Sequence, residues 1–257
     1  MLTKEQVAHF ETFGFLVLRN ILSPEEMTDI GRDFDEVMAE ERCGVPFSGE
    51  ETQSVLWFVE HRPSLYRLAE DDRIYNAIEQ LLGPEFLWVV SDANLYVGDT
   101  QWHGGEGNPA PLEHVKVVIY LDPLTSDTGC LRVIPGSHIP EYQQQLKMLR
   151  EQFEDPDKRP FGLRGAEVPA YPLDTMPGDV VFISEGGIWH GAFEGSPGRR
   201  QFTLIYYENP KTDEQVQYLR DFHQRTIAMF HPHETFLNSE RPRIRGMVQR
   251  YVELGLT

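Results

Sequence analysis

Apolar residues recur at helical spacing through Val7, Phe10 and Phe13, and Gly14 ends that run. Phe15–Leu18 then reads as a short strand. Ser23-Pro24-Glu25-Glu26 has the form of a capping box with proline in the first turn. It opens a helix to about Glu41 that buries Met27, Ile30, Phe34, Val37 and Met38. The polar, irregular stretch 42–54 predicts a loop over a pocket. Asp71 or Asp72 caps a further helix through Ile74, Ile78, Leu81 and Leu82, which Gly83-Pro84 stops.

From Phe86 the pattern changes to short runs rich in β-branched and aromatic residues: 87–90, 93–97, 115–121, 130–134, 168–173, 179–183 and 202–207. Turn signals such as Gly98-Asp99, Pro135-Gly136-Ser137 and Pro177-Gly178 separate them. So many short strands predict a mainly β fold with flanking helices, as a two-sheet jelly roll or barrel. The charged stretch 139–165, with Pro140, Pro156 and Pro160, predicts a surface helix plus a loop, either a solvated excursion or a lid. Helical patterns return around 218–230 and 244–254. No repeat or linker divides the chain, so residues 1–257 are expected to form one domain: leading helices 1–85, a strand core 86–208 and trailing helices 209–257.

Composition narrows the function classes. At 257 residues the chain can bury a sizeable core. A net charge of −18 argues against a nucleic-acid polymer or an anionic membrane as the main partner, yet leaves room for a local basic pocket. Without a long apolar run or a signal-peptide pattern, the expected setting is the cytoplasm. Cys43 and Cys130, far apart in sequence, are expected to be reduced thiols.

The candidate chemistry lies in Gln101-Trp102-His103-Gly104-Gly105-Glu106-Gly107 and in Trp189-His190-Gly191. Two histidines, each beside a tryptophan and at or near the end of an apolar run, look like two corners of a metal site. A strand presents residues i and i+2 to one side, so an extended chain at His103 would offer residue 105 as third ligand. A carboxylate is expected there, and Gly105 occupies the position.

Through Gly98-Asp99-Thr100-Gln101-Trp102-His103, Tyr120-Leu121-Asp122-Pro123, the run from Thr128 to His138, and Pro177-Gly178-Asp179-Val180-Val181-Phe182, the chain resembles the phytanoyl-CoA dioxygenase-like family of Fe(II)/2-oxoglutarate-dependent oxygenases. The resemblance implies a double-stranded β-helix (a cupin-like jelly roll) holding iron by His-x-Asp and a distant histidine. His103 matches the first histidine and His190 the distal one, and Trp102 and Trp189 would either flank the metal or serve as plain core aromatics. An arginine about ten residues beyond the distal histidine grips the far carboxylate of 2-oxoglutarate. Arg200 sits there, on the face of Phe202 and Leu204, with Arg199 as the alternative on the other face. Trp102 and Tyr120 are the further cosubstrate contacts expected.

Glycine in place of the ligand aspartate is the pattern of the aliphatic halogenases. There the vacant position and the missing negative charge admit chloride, and iron, 2-oxoglutarate and O2 drive transfer of halogen to an unactivated carbon. Two other readings of Gly105 stand beside this one. Glu106 would serve as a shifted carboxylate in a hydroxylase if the chain bulges, or the carboxylate has been lost together with activity. His114, His138, His223, His231 and His233 lack supporting carboxylate or cysteine spacing and are expected to be structural or solvated. Arg42, Arg62, Lys116 and Arg132 fall in pocket-forming regions and suggest an anionic or zwitterionic small-molecule substrate, such as an amino acid or a nucleotide.

Overall fold

Local sequence decides the helix boundaries at the N-terminal end. Thr3 and Ser23 each close a capping box, with Gln6 and Glu26, over the helices Lys4–Phe13 and Pro24–Glu41. Asp71, rather than Asp72, caps Asp72–Leu82 by accepting from the Arg73 amide. The computed structural model describes residues 1–104, 111–155, 157–184, 186–226 and 229–257.

The strands are β1 (Phe15–Leu18), β2 (Gln53–Leu56), β3 (Leu87–Tyr96), β4 (Thr100–His103), β5 (His114–Tyr120), β6 (Leu131–Val133), β7 (Tyr171–Leu173), β8 (Val180–Ser184), β9 (His190–Ala192) and β10 (Arg199–Tyr207). They form two antiparallel sheets, ordered β1-β8-β5-β10-β3-β2 and β4-β9-β6-β7. This is the double-stranded β-helix with flanking helices. The runs 87–90 and 93–97 are one continuous strand, its pairing with β10 shifted between Ile205 and Tyr206. β2, β4 and β9 escape the sequence pattern because they are short and partly polar or glycine-bearing, so their partners make them strands. The C-terminal part folds as the helices Asp213–Thr226, Glu234–Leu237 and Pro242–Leu254. Among the described residues no helix is long and apolar enough to cross a membrane.

Period-two alternation sorts each central strand between two cores. Val115, Val117 and Ile119 of β5 and Phe202, Leu204 and Tyr206 of β10 join Phe34, Ile74 and Ile78 of the leading helices. Val118 and Tyr120 face the other way, with Leu131, Val133 and Ile183, into the space between the sheets. The helices therefore cover the outside of the large sheet, and the inside is left for chemistry.

Glu60 is buried in the outer layer, accepting from Ser91 Oγ at 2.5 Å and Trp88 Nε1 at 3.1 Å. Burial pushes its carboxyl up to about 7 from an ordinary 4.5, against the hydrogen bonds that favour the ionised form. A raised folded-state value means that its stabilising contribution is complete below the unfolded value and is lost as pH rises through about 7. That difference corresponds to about 3 kcal/mol. Glu60→Gln is therefore expected to resist denaturant better than the parent at pH 8 and to lose the advantage by pH 5, as checked by urea midpoints across that range. Parallel pH profiles for the two proteins would rule it out.

Candidate metal centre and cosubstrate pocket

β4 and β9 pair so that His103 stands directly opposite His190, with ring centroids 4.0 Å apart. The Nδ1 atom of each lies on the carbonyl oxygen two residues back: His103 on Gln101 at 2.8 Å, His190 on Ile188 at 2.9 Å. A carbonyl can only accept, so each Nδ1 carries the proton and donates, and each Nε2 bears the lone pair. Holding the tautomer through the second nitrogen is how proteins prepare imidazole for a metal. Burial, reinforced by His103, keeps His190 neutral, well below its ordinary pKa, as a ligand must be. The pair thus fits a metal ion by its donor chemistry. Among the described residues no group of three or more His, Cys, Asp or Glu side chains is arranged to hold one.

Gly104 alters the argument about the third ligand. Its φ is +98°, and a Cβ there would lie 2.2 Å from the Ile188 carbonyl oxygen, so only glycine passes. The extended backbone therefore ends at His103, and the i, i+2 rule does not carry on to residue 105. Gly105 and Glu106 themselves lie outside the described residues.

The two histidines line a cavity between the sheets, together with Tyr96, Lys116, Tyr120, Arg199 and Gln201. Tyr120 is where the resemblance implies a cosubstrate contact, and burial raises its phenol well above the ordinary value, so it stays protonated. Arg199 is 6% exposed. Its Nη2 donates to Gly98 O at 2.8 Å, its Nη1 is buried without a partner, and its Cζ lies 6.0 Å from the centre of the Tyr96 ring. Burial pulls its pKa down, yet a guanidinium remains charged at neutral pH. A buried cation with an orphaned donor, a buried phenol and a lysine suit a dicarboxylate.

Arg200 is elsewhere, which corrects the expectation that it lines the pocket. On the helix-covered face it donates to Asp122 at 2.7 Å and to Asp35 at 3.1 Å, and its own amide donates to Asp122 at 3.0 Å. Bringing it inside would need a one-residue slip of β10. Phe202, Leu204 and Tyr206 would then leave their core, at roughly 2–3 kcal/mol for each side chain. That cost far outweighs a half-exposed ion pair. Asp122 thus serves an arginine distant in sequence.

Trp102 and Trp189 are also corrected. Each immediately precedes one of the two facing histidines and so points to the opposite face, where both are fully buried with Ile134, Leu146, Leu149, Val168 and Phe193. There they seat the insertion, Trp102 Nε1 donating to Gly165 O at 2.9 Å. The insertion carries the helices Pro140–Leu146 and Arg150–Glu154, and exposed Phe153 of the second reaches within 6.2 Å of the His103 ring centre. It therefore runs beside the site. Of the four cations singled out in the sequence, only Lys116 lines the cavity. Arg42 bonds Gln53, Arg62 pairs with Glu40, and Arg132 donates to the carbonyls of Ser126 and Ala166. Tyr96 and Gln201 went unnoticed in the sequence. The polar alternation Arg199, Gln201, Thr203 on β10 was the available signal.

Known proteins share this architecture. The chain is similar to the ectoine dioxygenase of Bordetella bronchiseptica, 27% identical over 238 residues that cover 81% of this chain and 76% of that protein. Its fold is similar to HygX from Streptomyces hygroscopicus with nickel and 2-oxoglutarate bound, with a TM-score of 0.64 at 20% identity over 83% of this chain and 90% of that one. It is also similar in fold to EctD from S. alaskensis with 2-oxoglutarate and 5-hydroxyectoine, with a TM-score of 0.60 at 21% identity over 80% and 76% of the two chains. The profile of the phytanoyl-CoA dioxygenase (PhyH) family matches residues 10–202, which include both histidines and Arg199, and the chain belongs to that family of Fe(II)/2-oxoglutarate-dependent oxygenases.

Proposed function

We propose that the protein is an Fe(II)/2-oxoglutarate-dependent halogenase acting on an unactivated C–H of a free small polar metabolite. The observation that carries this reading is the facing pair His103 and His190, tautomers set for Nε2 ligation, in a chain with glycine where the family has its aspartate. Iron bound there with 2-oxoglutarate and O2 would supply hydrogen abstraction from carbon, and a chloride beside it would supply the halogen. The protein's own part is binding and orientation. His103 and His190 hold the metal, and Gly105 puts no carboxylate where the halide would sit. Arg199 takes the far carboxylate of 2-oxoglutarate, with Tyr120 and Tyr96 on the walls. Lys116 adds positive charge to the cavity and favours an anionic or zwitterionic substrate of amino-acid or nucleotide type.

Hydroxylation is the second reading, favoured by the dioxygenase names of the relatives, with Glu106 or water in the third position. Anaerobic titration with Fe(II) and 2-oxoglutarate, followed by visible absorption, separates the two. A metal-to-cosubstrate band that shifts on adding chloride supports halogenation; a band indifferent to chloride supports hydroxylation. Gly105→Asp is expected to remove the chloride effect and turn any remaining product from halogenated to hydroxylated, read by mass spectrometry. Continued halogenation by that variant would sink the vacancy argument.

A further inference from the structure

The surroundings of the Arg199 guanidinium carry a further inference, which rests on the reading that Arg199 takes the far carboxylate of 2-oxoglutarate. Three strand-connecting turns meet around that group. The Gly98 carbonyl accepts from Nη2, Gly129 closes the turn before β6, and Gly195 lies in the turn between β9 and β10. A Cβ on Gly195 would overlap Nη1 and Cζ, and one on Gly129 would overlap Nη1 and crowd the Gly195 Cα. The two glycines therefore form a slot with no side chain on either wall, filled by the guanidinium.

The turn that supplies Gly195 is held from both ends. Glu194 sits at φ +62°, a conformation disfavoured for a residue with a Cβ, while its amide donates to Asp99 Oδ1 at 2.8 Å. Asp99 adjoins Gly98, so the hydrogen bond ties this turn to the carbonyl that accepts from Arg199. The Glu194 carboxylate also lies 3.6 Å from Arg132. Glycine is needed at the two walls for different reasons. Gly129 has φ +85°, which disfavours any side chain whatever the space, whereas Gly195 has no such backbone demand. Only the volume of the guanidinium requires glycine at 195.

We propose that Gly129 and Gly195 are positioning residues for the cosubstrate: their slot holds the Arg199 guanidinium at the cavity wall, so that dicarboxylate 2-oxo acids are selected over monocarboxylate ones. A methyl group at 195 meets the far end of a flexible side chain, so the arginine swings away and the fold survives. A planar group that binds a carboxylate through two parallel hydrogen bonds loses that match when displaced by an ångström or two.

The test is Gly195→Ala, loaded anaerobically with Fe(II) and titrated with 2-oxoglutarate and, separately, with pyruvate, which keeps the 2-oxo acid and lacks the far carboxylate. The expected result is a 2-oxoglutarate Kd raised on the order of 10- to 100-fold with an unchanged pyruvate Kd. In an Arg199→Gln background the same glycine change is expected to add nothing further. Equal losses for both 2-oxo acids, or an unchanged 2-oxoglutarate Kd, would overturn the slot. If Arg199→Gln itself leaves 2-oxoglutarate binding intact, the assignment of Arg199 has failed, a result distinct from failure of the slot alone. Should Gly195→Ala misfold, Gly195→Ala/Arg199→Ala removes the clash and is expected to restore the parent melting temperature; a double variant that stays unfolded would also overturn the proposal.

Discussion

Replacing His190 or His103 with alanine is expected to abolish Fe(II)-stimulated 2-oxoglutarate consumption and to weaken Fe(II) binding by roughly 100-fold or more. The size follows from the ligand set. Loss of a residue that merely orients a ligand costs 10- to about 100-fold in metal affinity, so loss of a ligand itself costs at least as much. Among the described residues no group of three or more ligand-type side chains is arranged to hold a metal, so with the two imidazoles as the proposed ligands, removing either would leave one. The neighbouring Ile188 carbonyl would also lose the donor that His190 now supplies. Metal titration under anaerobic conditions checks the binding, and 2-oxoglutarate depletion checks the turnover. Preserved turnover in either variant would remove these histidines from the metal site.

Arg199→Gln is expected to raise the 2-oxoglutarate Kd by about 100-fold, and Arg200→Gln by no more than about threefold. Adjacent residues of one strand are predicted to behave so differently because they face different media. Arg199 is buried in the cavity, without a carboxylate partner among the described residues, and a bound dicarboxylate would supply the missing anion in a low-dielectric setting. Arg200 spends its charge on Asp122 and Asp35, which hold the guanidinium's pKa up, and it is half-buried on the far side of the sheet. Its loss is a stability effect of about 1 kcal/mol, seen in a urea midpoint and scarcely at all in cosubstrate affinity. Equal binding defects in the two variants would refute the face assignment.

The helices illustrate what a local pattern can decide. The capping box at Ser23, the stop at Gly83 and the apolar stripe on Pro24–Glu41 act within a turn or two of chain, and each is where the sequence puts it. The signal at His103 and His190 is equally local, because each follows a tryptophan and precedes a glycine. The short strands β4 and β9 were not legible, although they carry the site. Three or four residues have too little alternation of their own, and pairing with each other makes them extended.

The sequence by itself determined the fold class, the termini of the leading helices and the family, because capping, periodicity and motif spacing are properties of neighbouring residues. It also determined that residues 199 and 200 face opposite ways, since period two is intrinsic to a strand. Only the tertiary structure decided which way is inward. The leading helices cover the Phe202–Leu204–Tyr206 face, so the apolar side of β10 is the outside of the jelly roll and the polar side lines the cavity. The same packing turned Trp102 and Trp189 from metal neighbours into the seat of the insertion. It also gathered Gly98, Gly129 and Gly195, distant in sequence, around one guanidinium. Burial is a sum over contacts between remote segments, so no local pattern could have assigned those faces.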